Sequence, residues 1–253
     1  MQLKNKVALV TGGGGGFGSS ISQAFAAEGA RVVVTDVLDS GAEVADSVNG
    51  TFIKADISTL DGTRELGKRV LDVAGHVDIL VNNAGLQHLD AVEDFPDDEW
   101  ARLIQVMLVA PFQLTKAVVP SMKERGWGRI INLSSIHGLV ASPFKSAYIS
   151  AKHGIVGMTK TIALEVGEFG ITVNAICPGY SNTPLVQSQI GSQARTRGIS
   201  KEEVVEKVML EPAAIKRLID PEEIANMAVF LATDQAKSIT GASMVIDAGW
   251  TAR

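Results

Sequence analysis

The chain has 253 residues, of which 46% are hydrophobic and 20% charged, a composition typical of a globular protein with a large core. Its formal net charge of −5 at pH 7 provides no basic surface for nucleic acid and no polybasic run for anionic lipid. Cys177 is the only cysteine, so an intrachain disulfide is impossible. The N-terminal apolar stretch is too short for a signal peptide, and no apolar run approaches membrane-spanning length. We therefore expect a cytoplasmic protein that binds neither nucleic acid nor membrane.

The chain begins with the pattern strand, glycine-rich turn, helix. Residues 7–10 are a short β run, residues 11–18 read TGGGGGFG, and apolar residues then recur at helical spacing from Ile21. Glycines let a backbone approach a pyrophosphate, and the N-terminus of the following helix stabilises its negative charge. A glycine cluster alone could be a flexible loop. Between a buried strand and an amphipathic helix, it predicts a dinucleotide-binding site.

Two carboxylates end the next two predicted strands. Asp36 closes the strand at residues 30–36, about twenty residues after the glycines, where the adenosine ribose is expected. Its carboxylate would accept hydrogen bonds from the ribose hydroxyls and repel a 2′-phosphate, which favours NAD over NADP. Capping of the following segment is the alternative. Asp56 closes the strand at residues 51–56 and could reach the adenine amino group or cap the helix that begins near Thr59.

The alternation of strands and helices continues to the C-terminus. Further strands are predicted at residues 77–81, 128–133, 171–177 and 244–247, and the longest helices at residues 100–123 and 146–168. Repeated βα units predict an α/β fold: one domain, residues 1–253, with a Rossmann-type doubly wound parallel sheet and helices on both faces. Residues 181–217 lie outside the alternation. We interpret them as a lid over the substrate, with a plain surface helical excursion as the alternative.

A possible proton-transfer group lies between the fifth strand and the long helix after it. Tyr148 and Lys152 are four residues apart and so share a helix face, while Ser135 follows the strand. A nearby cation would lower the pKa of the Tyr148 phenol, and Ser135 would orient a reacting alcohol oxygen. The alternative is a surface helix with an unrelated Tyr and Lys, because this spacing alone is common.

Together these motifs resemble the short-chain dehydrogenase/reductase family over essentially the whole chain. The matching motifs are TGGGGGFG, NNAG at residues 82–85, Ser135, the Tyr148 and Lys152 pair, and PG at residues 178–179. The resemblance implies an NAD(P)-dependent oxidoreductase in which Tyr148 is the acid/base, Lys152 lowers its pKa and binds the nicotinamide ribose, and Ser135 orients the oxygen. The residues expected at the cofactor are Gly12, Gly16, Phe17, Gly18, Asp36, Asp56, Ile57, Asn83, Ala84, Gly85, Tyr148, Lys152, Pro178, Gly179 and Thr183.

Within this family the chain looks most like the dehydrogenases of D-3-hydroxybutyrate. The likeness lies in NNAGLQH, GWGRIINLSSIHGLVAS, FKSAY, AKHG, CPGY, TPLVQSQI and the ending GWTAR. It implies interconversion of (R)-3-hydroxybutyrate and acetoacetate with NAD, the substrate carboxylate being bound by Gln87, His137, Lys145 and Gln189. These donors come from separate predicted strand ends, as a carboxylate pocket requires in a protein of net negative charge. Singly, each could be an ordinary loop or surface residue.

Two positions depart from the pattern of the relatives. Met107 stands where the family has an Asn that completes a proton relay to Lys152, and we expect the relay to use the backbone carbonyl instead. Tyr180 stands where the subfamily has a Trp against the alkyl end of the substrate, which leaves selectivity among 3-hydroxy acids open.

The alternatives for function are another family member, acting on a different hydroxy acid, a 3-oxoacyl thioester, a sugar or a cyclic alcohol, and a non-catalytic dinucleotide-binding protein. The resemblance also implies a homotetramer. Gly154 and Gly157 would allow close helix packing against a partner or against the sheet. No metal ligands are assigned, and a metal at the C-terminus is left open.

Overall fold

The computed structural model describes residues 1–252, apart from the side chains of residues 192 and 195–197. In this part of the chain, seven strands form one parallel sheet in the order β3-β2-β1-β4-β5-β6-β7. The order reverses between β1 and β4, where a doubly wound sheet opens a crevice for a ligand. The predicted α/β fold is therefore confirmed. The strands are β1 (Val7–Thr11), β2 (Arg31–Asp36), β3 (Thr51–Lys54), β4 (Ile79–Asn82), β5 (Gly128–Leu133), β6 (Ile171–Pro178) and β7 (Ser243–Ile246).

Helices cover both faces of the sheet. They are α1 (Gly16–Ala27), α2 (Ser40–Ser47), α3 (Leu60–Ala74), α4 (Asp97–Ile104), α5 (Ala110–Arg125), α6 (Ser146–Val166), α7 (Pro184–Arg197), α8 (Lys201–Val204) and α9 (Pro221–Ala232). Successive strand residues point to opposite faces. Val10 packs in one core cluster with Phe25 of α1 and Leu231 of α9, and Leu9 packs in the other with Leu66 of α3. This two-sided burial explains why the central strands are apolar throughout.

The helical stretch Asp97–Arg125 extends slightly beyond both ends of the helix predicted at residues 100–123, and a π-helical turn at Gln105–Val109 joins α4 to α5 within it. By length and composition alone it could cross a membrane, which corrects the expectation that no such run exists. Its apolar residues Leu103, Leu114 and Met122 are buried in the clusters that pack on α6 and on the sheet. The stretch therefore packs as a core helix of this domain.

Residues 181–217 form a small helical layer beside the end of β6. α7 and α8 are followed by a second π-helical turn at Val205–Met209. The buried side chains Ile190, Val204 and Met209 make a core cluster of their own. This layer lies over the carboxyl ends of the strands, where the two cavities described below are found.

Candidate active site

A cavity of about 680 Å³ opens at the carboxyl ends of β1, β2 and β4, within the size range of cofactor sites. Most of the residues expected at the cofactor line it: Gly12, Gly16, Phe17, Asp36, Asp56, Ile57, Asn83, Ala84, Gly85, Tyr148, Lys152 and Thr183. The topology thus brings together side chains from six separate segments. The volume and the glycine-lined wall suit a dinucleotide.

The glycine turn adopts conformations that other residues rarely reach. Gly12 and Gly16 have φ angles of 62° and 53°, in the left-handed region that favours glycine. A Cβ on Gly12 would lie 2.8 Å from the Cα of Ala84, whereas one on Gly15 would meet nothing within 4 Å. The backbone is therefore open toward the cavity. Gly18, expected at the cofactor, instead lets α1 pack against the turn, because a Cβ there would collide with the Gly12 carbonyl.

The carboxylates of Asp36 and Asp56 accept hydrogen bonds from backbone N–H groups of nearby turns and do not cap the following helices. The Asp36 carboxylate accepts hydrogen bonds from the backbone N–H of Gly14 (2.9 Å) and of Leu38 (3.0 Å), whereas α2 begins at Ser40. Asp56 accepts from the N–H of Ser58 at 2.8 Å. The cap of α3 is Thr59, whose hydroxyl accepts from Gly62. The capping alternatives are thus wrong, and both carboxylates border the cavity.

The NNAG segment ties β4 to the glycine turn. Asn83 Nδ2 donates to the carbonyls of Thr11 (2.8 Å) and Gly12 (3.0 Å). The Thr11 hydroxyl in turn accepts from the N–H groups of Asn83 and Ala84. The side-chain N–H group of Asn83 is therefore hydrogen-bonded within the protein, and its role at the cavity is to fix the backbone that forms the cavity floor.

A second cavity of about 70 Å³ adjoins the first. It is lined by Ser135, Tyr148 and all five residues expected at the substrate: Gln87, His137, Lys145, Tyr180 and Gln189. Tyr148 and Phe17 line both cavities, so the phenol lies where the two spaces meet. Pro178 and Gly179, which were expected at the cofactor, line only the small cavity, because β6 continues to Pro178 and Gly179 pairs with Ile246.

Burial controls the ionisation of the Ser135, Tyr148 and Lys152 group. Burial raises the pKa of Tyr148 to about 12, and the hydrogen bond with Ser135 acts in the opposite direction. Lys152 Nζ donates to the Leu133 carbonyl at 2.6 Å and lies 5.5 Å from the centre of the Tyr148 ring. Burial lowers the pKa of Lys152 to about 8. The expected lowering of the Tyr148 pKa by Lys152 is therefore not found in this structure, where the loss of solvent is the largest effect and the hydrogen bond with Ser135 is the one that lowers the pKa.

The small cavity holds a buried cation. The side chain of Lys145 is 5% exposed, which excludes the alternative of a solvated residue at the helix start. Burial alone lowers the pKa of Lys145 to about 8, so no carboxylate among the described residues offsets the lost solvation. His137 is equally buried, and burial followed by the charge of Lys145 lowers its pKa to about 3. At neutral pH the imidazole is therefore uncharged and the ammonium is positive.

Two amides complete the lining of the small cavity. Gln189 Nε2 on α7 donates to Gln87 Oε1 after β4 at 2.7 Å, across 102 positions of sequence. Gln87 Nε2 and Gln189 Oε1 are buried without a hydrogen-bond partner. Buried polar atoms of this kind normally have one. The lining of the small cavity thus includes an unpartnered amide donor, an unpartnered amide oxygen and the Lys145 cation, and the donor and the cation are groups that a carboxylate ligand requires.

Sequence reasoning missed several residues of the site. Leu38 and Arg102 line the large cavity, and Trp250 packs edge-on against His137 and Tyr180 at centroid distances of 6.2 and 6.5 Å. The sequence did offer a signal for Leu38, an apolar residue two positions after the acidic end of the second strand. Neither Arg102 nor Trp250 could be placed without the tertiary contacts.

Comparison with known proteins agrees with this geometry. A family model described as "Enoyl-(Acyl carrier protein) reductase" matches residues 13–251. D-beta-hydroxybutyrate dehydrogenase of Rhizobium meliloti is 47% identical, the alignment covering 98% of this chain and 99% of the relative. The enzyme of the same name from Cupriavidus necator is 43% identical over 99% and 100%. Trans-4-hydroxycyclohexanecarboxylate dehydrogenase of Sinomonas cyclohexanicum is 35% identical over 99% and 95%. With matches over nearly its full length, the chain belongs to the short-chain dehydrogenase/reductase family of nicotinamide-dependent oxidoreductases.

Proposed function

We propose that this enzyme interconverts (R)-3-hydroxybutyrate and acetoacetate with NAD as the cofactor. The observation that carries the proposal is the buried Lys145, whose positive charge faces a small cavity beside Tyr148 without a carboxylate to offset it. Keeping an unpaired charge away from water is unfavourable. A substrate carboxylate would supply the missing partner. The names of the relatives from Rhizobium meliloti and Cupriavidus necator support the same substrate.

The size of the cavity favours a short acid. One water-sized position needs roughly 10–15 Å³, so a cavity of about 70 Å³ holds roughly five such positions. This is close to the extent of a four-carbon hydroxy acid. A thioester on a carrier arm, or a cyclohexane ring, would need residues 181–217 to move. A thioester would also leave Lys145 and the free amide donor of Gln87 unpaired.

The choice of NAD rests on Asp36. Its carboxylate borders the large cavity and is held in place by two backbone N–H groups. A carboxylate at the end of the second strand binds the ribose hydroxyls of NAD, whereas the 2′-phosphate of NADP would bring two negative charges together.

The chain's own residues then have separable roles. When bound in the large cavity, the nicotinamide dinucleotide supplies the hydride acceptor or donor. Tyr148 takes the hydroxyl proton in oxidation and returns it in reduction, and Ser135 orients the reacting oxygen by a hydrogen bond. Lys152, which lines the same cavity, binds the nicotinamide ribose. Lys145, His137 and the two glutamines fix the carboxylate, so that binding away from the reacting carbon provides orientation.

We assign residues 181–217 as a lid of the single catalytic domain, residues 1–253. The hydrogen bond from Gln189 to Gln87 joins α7 to the loop after β4 over the small cavity. Covering the site in this way excludes water from hydride transfer.

We also propose a cytoplasmic homotetramer. The outer faces of α5 and α6 carry Phe112, 46% exposed, and Leu164, 88% exposed, and apolar side chains on neighbouring helices are typical of an interface between copies. The buried free thiol of Cys177 suits a reducing compartment.

The decisive experiment follows NADH formation by purified protein with NAD and (R)-3-hydroxybutyrate, its S enantiomer or its methyl ester. Turnover confined to the R acid is expected. Equal turnover of the ester would contradict the carboxylate assignment, and turnover of trans-4-hydroxycyclohexanecarboxylate instead would transfer the proposal to that substrate. A parallel assay with NADP should show at least about a hundredfold lower kcat/KM, since an unfavourable charge contact of about 3 kcal/mol has that effect.

A further inference from the structure

The last residues of the chain form a rigid turn behind the substrate site. Asp247, directly after β7, accepts hydrogen bonds from the N–H of Gly249 (2.9 Å) and from the N–H (2.8 Å) and hydroxyl (2.6 Å) of Thr251. Ala248 and Gly249 both have positive φ angles, 57° and 78°. One carboxylate thus fixes the backbone from Asp247 to Thr251, which we call the C-terminal turn.

The C-terminal turn is bonded to the part of the lid that returns to the body of the protein. Trp250 Nε1 donates to the Met209 carbonyl at 3.1 Å. The Ala248 carbonyl accepts from the N–H groups of Ala214 (2.8 Å) and Ile215 (3.0 Å). A Cβ on Gly249 would lie 2.8 Å from the Cβ of Ala214. The C-terminal turn is therefore closely packed against the lid, with no space for a side chain at position 249.

Met209 connects this contact to the part of the lid that borders the small cavity. Its side chain is fully buried and shares a core cluster with Val204 and Ile190. Ile190 is the neighbour of Gln189, which reaches Gln87 across the small cavity. A displacement of the Met209 carbonyl would therefore be transmitted through a packed cluster to an amide of the carboxylate pocket.

Trp250 also contacts two residues of the substrate site without lining the small cavity itself. Its ring lies edge-on to those of His137 and Tyr180, yet the described residues that line the small cavity do not include Trp250. Its ring can therefore set the position of His137 while its N–H holds the lid.

We propose that Trp250 is a positioning residue of the substrate site, holding His137 and the lid-borne Gln189 in register for the substrate carboxylate. The inference rests on the proposed function for its substrate. Its structural half, attachment of the lid through the Met209 carbonyl, is independent of what the substrate is.

The test compares Trp250→Phe with Trp127→Phe. Phenylalanine keeps an aromatic ring at position 250 but removes the donor to Met209. Trp127 is the matched control because its Nε1 also donates a hydrogen bond, at 3.2 Å to Asp234, and because it lies just before β5, at the amino-terminal ends of the strands and away from the substrate site. Trp250→Phe should raise KM for (R)-3-hydroxybutyrate about fivefold to tenfold, the effect of one lost hydrogen bond, with KM for NAD within about twofold. Tryptic cleavage of the lid at the exposed Lys201 and Lys207 should accelerate by a similar factor.

Gly249→Ala disturbs the same contact from the other side and should reproduce both effects. Unchanged KM and unchanged cleavage in the two variants would overturn the proposal. A parallel rise in both KM values, or the same changes in Trp127→Phe, would overturn it as well, because either result would indicate a general loss of folding. If the unmodified protein turns over no hydroxybutyrate, the proposed function fails, and the cleavage rates alone then decide whether Trp250 holds the lid.

Discussion

At the scale of single residues, burial sets the chemistry of the site more than neighbouring charge does. The same loss of solvent lowers the pKa values of Lys145 and Lys152 to about 8 and raises that of Tyr148 to about 12, because burial disfavours whichever form is charged. At neutral pH the phenol is protonated and both amines carry charge. The protein is thus ready to donate a proton in reduction, and the proton-transfer step of oxidation, measured as kcat at saturating hydroxybutyrate, should accelerate as the pH rises.

Replacing Lys145 tests the carboxylate pocket directly. Lys145→Ala should raise KM for (R)-3-hydroxybutyrate by about tenfold to a hundredfold, since a hydrogen bond to a charged group contributes about 1.5–3 kcal/mol. KM for NAD should change by less than about twofold, because Lys145 lines only the small cavity. Steady-state kinetics with each substrate varied in turn gives both values. Equal effects on the two KM values would exclude the assignment.

The pKa of Lys145 also predicts a pH dependence. The pKa is lowered to about 8, so the ammonium is present below pH 8 and is lost above it in the free enzyme. The kcat/KM for hydroxybutyrate should therefore fall as the pH rises through about 8. Lys145→Arg should retain its charge and lose this contribution to the alkaline fall, because a guanidinium stays protonated. If kcat/KM falls at the same alkaline pH in the unmodified protein and in Lys145→Arg, the fall would be assigned to Lys152 instead.

At the scale of elements, the π-helical turn Gln105–Val109 bears on the proton relay. Met107 lies within it with its side chain buried. Pro111, four residues later, has no N–H, so the Met107 carbonyl lacks the donor that an α-helix would supply at that position. No N–H four residues later competes for this carbonyl, and a relay through the backbone rather than through a side-chain amide requires that.

The consequence is that restoring the amide should matter little. Met107→Asn should change kcat by less than about tenfold, with some loss of stability because a polar side chain enters an apolar cluster. Pre-steady-state and steady-state rates at saturating NAD measure the effect. An increase of at least about tenfold would show that the side chain, rather than the carbonyl, carries the relay.

At the scale of the whole molecule, exposed surface on α5 and α6 bears on assembly. Gly154 serves packing within the chain, because a Cβ there would lie 2.8 Å from the Leu108 side chain, whereas a Cβ on Gly157 would meet nothing within 4 Å. Of the two glycines considered for a partner contact, only Gly157 therefore lies on the free face. Leu164 lies two turns further along that face.

Assembly can be tested by placing charge on this face. Leu164→Glu should shift the protein from a tetramer toward dimers or monomers, because a carboxylate would be buried at an apolar contact. Stability of the isolated chain should change little, since Leu164 is 88% exposed. Sedimentation velocity at several concentrations measures the distribution. An unchanged tetramer, or a monomeric unmodified protein, would place the interface elsewhere or remove it. Thr161→Glu, one turn earlier on the same helix and also exposed, shows how far the sensitive area extends.

The sequence alone was sufficient for the order of strands and helices, the glycine turn, the acidic strand ends and the membership of the small cavity. The first three follow from local periodicity and from the rule that parallel strands end at one edge, whereas the substrate residues of the small cavity were implied by the family resemblance. Only the tertiary structure showed that Gly18 packs against the glycine turn and does not line the large cavity. It also showed that Pro178 and Gly179 line the small cavity and that burial raises the pKa of Tyr148. It alone brought Gln189 to Gln87 and Trp250 to Met209. These contacts join residues that are far apart in sequence, and both the contacts and the exclusion of water around them depend on how the helices and the sheet pack. A local sequence pattern contains no information about that packing.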